Sequence, residues 1–172
     1  TNAQSRATEE ALVRNRVPYR LVGGVRFYQR RELKDIIAYL RLIQNRADEA
    51  SFIRVINTPA RGIGSRTIER IREISDRTGI SLSDACDRIA EGGEEATGLG
   101  RTAASVREFS HLMATLRAKA SGALPDLLDA ILTLTGYARY LHTNDPEAEE
   151  RIENIAQLRT VMAQYEGVGG ED

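Results

Sequence analysis

One cysteine, Cys86, is too few for an internal disulfide, and the two histidines, His111 and His142, stand in unrelated stretches with no ligand spacing around them. A zinc cluster therefore has no residues to build on, and a reducing, cytoplasmic setting fits the thiol count. No apolar run approaches the roughly 20 residues of a membrane span, so no membrane partner is expected. Behind Thr1-Asn2-Ala3-Gln4-Ser5-Arg6 there is no apolar stretch of the signal-peptide kind. The lack of an initiator methionine predicts a fragment or a processed product. No glycine-rich loop runs into Gly-Lys-Ser or Gly-Lys-Thr, so these residues offer no P-loop for a nucleotide. Neither a nucleophile–base pair nor a metal set is visible, which leaves a free-standing enzyme without support. Aromatic residues are 5% of the chain, and the six tyrosines and three phenylalanines are scattered, which gives no stacking platform for unpaired bases.

What is present is enough for one domain with a core: 172 residues, 28% charged and 41% apolar. The net charge of −1 hides an asymmetry, because residues 1–80 carry 16 Arg+Lys against 9 Asp+Glu and residues 81–172 carry 8 against 16. A basic half fits a polyanionic partner; it also fits two halves of one fold that attract each other. Arginine outnumbers lysine 22 to 2, a bias that a GC-rich genome would produce as readily as function.

The apolar spacing is helical almost throughout. Residues 5–15 read as a helix, Val17–Val22 as a short strand and Gly23-Gly24 as a turn. Arg30 to Gln44 is a strong amphipathic helix with Leu33, Ile36, Ile37, Leu40 and Ile43 on one face. Asp48 to Asn57 is a second, stopped at Thr58-Pro59. Ser65 to Arg77 is a third, ending at Thr78-Gly79. Ser81 starts a fourth, with Leu82, Ala85, Cys86 and Ile89 inward, and Gly92-Gly93 closes it before an exposed loop at Glu94-Glu95. Arg101 to about Ala120 follows, with Val106, Phe109, Met113 and Leu116 inward. Pro125 suits the first turn of a helix to about Thr135. Gly136-Tyr137 interrupts, and Thr143-Asn144-Asp145-Pro146 is a capped start for a last helix to about Tyr165 with Ile152, Ile155, Leu158 and Met162 inward.

Between the second and third of these helices lies Arg61-Gly62-Ile63-Gly64-Ser65-Arg66-Thr67. Two glycines flank one apolar residue, which can tuck between helices. The N–H groups of Gly64, Ser65, Arg66 and Thr67 then point out from a helix N-terminus beside two arginines, an arrangement that suits an anion such as a nucleic-acid phosphate. The same turn also serves as mere punctuation between helices. A second element, Gly98-Leu99-Gly100, echoes it 36 residues on, without a matching register in the helix behind. Arg30, Lys34 and Arg41 fall within about 40° of one another around one helix and flank its apolar face. They suit a phosphate backbone, or an ordinary solvated face in which Glu32 and Asp35 pair with them.

Several stretches together carry a family likeness. They are Pro18-Tyr19-Arg20-Leu21-Val22-Gly23-Gly24-Val25-Arg26-Phe27-Tyr28-Gln29-Arg30-Arg31-Glu32-Leu33-Lys34-Asp35, then Ile36-Ile37-Ala38-Tyr39-Leu40-Arg41, then Asn57-Thr58-Pro59-Ala60-Arg61-Gly62-Ile63-Gly64. With the opening Thr1–Arg6 and the late Arg151-Ile152-Glu153-Asn154, the chain resembles the UvrD/PcrA/Rep group of superfamily 1 DNA helicases over nearly its whole length. Tyr28-Gln29 departs from the aromatic–acidic pair common there.

The resemblance implies a mainly α, multi-helical domain with helix-hairpin-helix-like elements and one short N-terminal strand. Residues 1–28 would be a fragment of motor domain 2A, 29–166 the inserted helical 2B subdomain, and 167–172 a disordered tail or linker. The parent would be a 3′→5′ DNA helicase using ATP and Mg2+ at a site outside these residues; the chain itself would need no cofactor. Carried over by position, duplex contacts would come from Arg61, Gly62, Ile63, Gly64, Ser65, Arg66 and Thr67, with Lys34 and Arg41 on the neighbouring helix. Arg30 would belong to an arginine-bearing motif at the 2A/2B junction. The expected partners are double-stranded DNA at a single/double-strand junction and the motor domains of the same helicase, in the cytoplasm on the nucleoid. The alternative is a protein-interaction or autoregulatory module that docks repair or transcription proteins.

Overall fold

A computed structural model describes residues 24–169 of the chain. The helix expected over 5–15, the strand expected at Val17–Val22 and all but the last residues of the expected motor segment lie outside the described residues. Among the described residues the chain is mainly α, with nine α-helices, one 3-10 turn and no strand. In order these are α1 (Gly24–Tyr28), α2 (Arg31–Gln44), α3 (Glu49–Val55), α4 (Ser65–Thr78), α5 (Leu82–Glu91), the 3-10 turn (Gly93–Ala96), α6 (Arg101–Ala118), α7 (Leu124–Thr135), α8 (Tyr137–Asn144) and α9 (Ala148–Gly169).

The apolar stripes read from the sequence all face inward. Leu33, Ile36, Ile37, Leu40 and Ile43 of α2, Val106, Phe109, Met113 and Leu116 of α6, and Ile155, Leu158 and Met162 of α9 are buried in one cluster. Ile152 packs against that cluster from its edge. Cys86 is buried as well, and burial pushes its thiol up to about 12, so it behaves as a small core hydrophobe.

α2 is the centre of the arrangement. It packs against α1, α3, α6, α7 and α9, and ten of its fourteen residues are buried. A helix covered on so many sides must partner any polar group it carries. Glu32, Asp35 and Tyr39 stand three and four residues apart, so they stack along one face. Each meets a different element. Arg151 Nη1 donates to Glu32 Oε2 at 3.0 Å and Asn154 Nδ2 to Glu32 Oε1 at 2.8 Å. Arg54 Nε donates to Asp35 Oδ1 at 2.9 Å and the Tyr137 hydroxyl to Asp35 Oδ2 at 2.6 Å. The Tyr39 hydroxyl donates to Thr58 O at 2.5 Å. Glu32 and Asp35 are thus core groups, not solvated partners for Arg30, Lys34 and Arg41. The reason is distance along the chain: their counter-ions arrive from other helices.

Other differences are local. Gly24 has φ +67° and turns the chain into α1, a short helix where only a turn was expected. Gly136 (φ +71°) ends α7 in the left-handed conformation and heads α8 at once, so a helix replaces an interruption. Glu95 is not on a free loop. It sits in the 3-10 turn, where Arg77 Nη2 donates to it at 2.7 Å and Arg70 Nη2 lies 3.6 Å away. The backbone of α9 continues to Gly169, past the end expected near Tyr165.

Two predictions follow from these partnerships. Arg151→Ala leaves the fully buried Glu32 carboxylate with only Asn154, and should destabilise the fold by about 3 kcal/mol in denaturant unfolding. The second concerns acid. Asp48 caps α3 by accepting from Ser51 N at 3.0 Å, and Arg41 Nε donates to its other oxygen at 2.9 Å. Burial alone would raise its pKa, but the Ser51 amide and the Arg41 guanidinium outweigh it and the carboxyl lies below its usual range. Asp84, Asp129 and Asp145 are lowered too, chiefly by the Arg46 bond, the Arg159 bond and the Glu147 amide respectively. A lowered folded pKa gives stability that is complete above the unfolded value of about 3.9 and lost as pH falls through the folded one. The melting temperature should therefore drop below about pH 4, and Asp48→Asn should show a shallower drop than the parent chain.

Candidate nucleic-acid interface

The glycine hairpin is built on the end of α3. A helix end leaves backbone carbonyls without intrahelical donors, and this one is inside the fold. Arg61 supplies them. Its Nη1 donates to Val55 O at 2.6 Å and Ile56 O at 2.9 Å, its Nη2 donates to the Tyr39 hydroxyl at 2.6 Å, and the guanidinium lies 5.1 Å from the centroid of the Phe109 ring. Burial raises the Tyr39 phenol above its ordinary pKa, partly offset by Arg61. Two residues on, Ile63 is 1% exposed and anchors the loop tip, as its place between glycines suggested. Gly62 has φ +73° and Asn57 Oδ1 accepts from Arg61 N at 2.6 Å and Ile63 N at 3.4 Å. The loop is held from below by an arginine and an isoleucine and from its own chord by an amide.

This divides the expected site residues. Gly62, Gly64, Ser65 and Arg66 are exposed. Gly64 is the N-cap of α4 and has no side chain to satisfy the first-turn amides, so those of Ser65 and Arg66 face outward at the positive end of a fourteen-residue helix. Arg66 enters no ion pair among the described residues. Arg61, Ile63 and Thr67 point the other way: the arginine is committed to main-chain carbonyls, and the other two are buried.

The residues on and before α2 are less uniform. Arg30 is the N-cap of α2 with extended backbone (ψ 141°), one residue outside the helix, and its Nη1 lies 3.6 Å from Glu150 Oε1. Its place on a helical wheel is therefore not that of Lys34 or Arg41. Arg41 is paired with Asp48. Lys34 is half-buried at the edge of the apolar face. α2 packs mainly on α3, whereas α4 packs mainly on α5, so Lys34 and Arg66 stand on helices with different main partners.

An open groove of about 530 Å³ begins at Arg66. It is lined by Arg66, Glu69, Arg70 and Glu73 on α4, and by Glu94, Thr97, Gly98 and Leu99 opposite. Gly98 and Leu99 of the second Gly-apolar-Gly element thus face the start of α4 across this groove. Arg66/Arg70 and Glu69/Glu73 each repeat at four residues, a spacing from which this adjoining pair of rows was readable. Among the described residues there is no group of three or more His, Cys, Asp or Glu able to hold a metal, and no helix long and apolar enough to cross a membrane.

Known proteins share this chain's pattern. A profile of the UvrD-like helicase C-terminal domain matches residues 1–170. The chain is 37% identical over 166 residues to the ATP-dependent DNA helicase UvrD1 of Mycobacterium tuberculosis (strain ATCC 25618 / H37Rv), covering 96% of this chain and 21% of that protein. It is 39% identical over 167 residues to DNA helicase II of Escherichia coli (strain K12), covering 96% and 23%. It is 38% identical over 169 residues to the ATP-dependent DNA helicase PcrA of Leuconostoc citreum, covering 96% and 22%. The chain therefore spans about a fifth of the length of these relatives. By a profile match over residues 1–170, and by these identities, the chain belongs to the UvrD-like helicase C-terminal domain family.

Proposed function

We propose that this chain is the duplex-gripping, regulatory 2B-type part of an ATP-dependent 3′→5′ DNA helicase. In this reading the ATP and Mg2+ chemistry belongs to motor segments outside these residues, and the chain's own part is to hold double-stranded DNA at the junction ahead of the motor. The observation that carries the reading is the uncapped N-terminus of α4, presented to solvent with Ser65 and Arg66 behind a hairpin pinned from within. Backbone amides and a guanidinium recognise phosphate oxygens, not base edges, so binding should ignore sequence and weaken with salt. Lys34 would add a more distant phosphate contact, and Gly62 and Gly64 would let a phosphate approach the backbone closely. Arg61 serves this site by supporting the loop.

A second reading, docking of a repair or transcription protein or of the helicase's own motor domains, is favoured by an apolar recess of about 140 Å³ lined by Leu128, Leu132, Ala138, Ile152, Ile155, Ala156 and Arg159. It would gain ground if the chain retained no duplex at any salt concentration.

The test is duplex binding measured across a salt series against a single strand of equal length. Lys34→Ala with Arg66→Ala should lower duplex affinity and flatten the slope of log affinity against log salt by about 2, near one per lost phosphate contact. Identical curves for the double variant and the parent chain would overturn the reading. Arg61→Ala should first lower the melting temperature, because it strips donors from Val55 O and Ile56 O at a cost of about 2 kcal/mol.

A further inference from the structure

Asn57 lies between the end of α3 and the glycine hairpin, and its side chain spans the loop. Both of its partners, Arg61 N at 2.6 Å and Ile63 N at 3.4 Å, are donors, so the amide presents its oxygen to the loop and its NH2 away from it. The residue itself is exposed. Between the two donors Gly62 carries the chain through φ +73°, a turn that points both N–H groups to the same side. One side-chain oxygen on that side closes the loop as a backbone carbonyl would.

We infer that Asn57 is a positioning residue of the duplex interface, and that by holding the Arg61 and Ile63 amides it sets the direction in which the Ser65 and Arg66 amides leave the fold. The inference rests on the duplex reading of that helix end. Ile63 and Arg61 work from the protein side of the loop and fix where it is attached. Asn57 works across the loop and fixes its curvature, which decides where α4 begins. A loop that keeps its anchors and loses this brace still folds, but its amides must be ordered by the DNA at the moment of binding, and affinity falls by that ordering cost.

The experiment is a double-mutant cycle on the 172-residue chain, with a short duplex of arbitrary sequence as probe and thermal melting as a check on folding. Asn57→Ala should weaken duplex binding about fivefold, the worth of a lost hydrogen bond, with little change in melting temperature. Asn57→Ala and Arg66→Ala should be markedly less than additive, because Arg66 is already misplaced once Asn57 is gone. Asn57→Asp keeps the accepting oxygen and loses the NH2. At about 0.3 M salt, where its added charge is screened, it should bind like the parent chain.

Parent-like affinity for Asn57→Ala, or additive losses together with an Asn57→Asp variant as weak as Asn57→Ala, would overturn the inference. The first result means the brace is irrelevant to binding, and the second means the Asn57 NH2 touches the phosphate directly. If the Lys34→Ala, Arg66→Ala variant loses nothing, the duplex reading itself fails and takes this inference with it. If that variant weakens binding and Asn57→Ala does not, only the inference fails. Should Asn57→Ala melt early, Asn57→Asp and the cycle measured below its melting temperature decide between the same outcomes.

Discussion

A helix enclosed on nearly all sides that still carries three polar groups is the constraint from which the rest of this fold follows. Glu32, Asp35 and Tyr39 lie in a row inside the core, and none can be left unpartnered there. Aliphatic packing tolerates sliding; a carboxylate gripped by a guanidinium and an amide does not. The row therefore works as a set of registers. Glu32 locates α9 through Arg151 and Asn154, Asp35 locates α3 and α8 through Arg54 and Tyr137, and Tyr39 locates the hairpin through Thr58 and Arg61. Arg31 and Arg151 converge on Asp145 just before α9, which reinforces the first of these.

The candidate interface is the last link in that series. Tyr39 and Arg61 bond to each other and to the carbonyls around the end of α3, so the loop that follows leaves the core at a set place. The start of α4 thus inherits its placement from a largely buried helix, through Tyr39 and Arg61. Arg61, a charged residue of this motif, shapes the loop from beneath it.

Much of this was readable in advance. Helices with three- and four-residue apolar spacing declare themselves because burial needs that period whatever the neighbours are. The short α8 did not, since it is eight residues long and Gly136 looked like an end and proved also a beginning. The burial of Glu32 was hidden because its partner Arg151 lies 119 residues away. The supporting bonds of Arg61 were hidden for a related reason. An arginine beside glycines reads as an anion contact, and only the fold shows the Val55 and Ile56 carbonyls and the Tyr39 phenol within reach of its guanidinium. The exposed position of Ser65 and Arg66 at the start of a helix was legible from local chemistry alone, and so was the tucked Ile63.

The groove beside Arg66 has one more implication. Glu69 and Glu73 follow the arginine along α4, and Glu94 faces them. Any polyanion seated on the first turn would meet repulsion one turn further on, so its footprint there would be short. A seat with so unwelcoming a floor would release an anion as readily as it takes one.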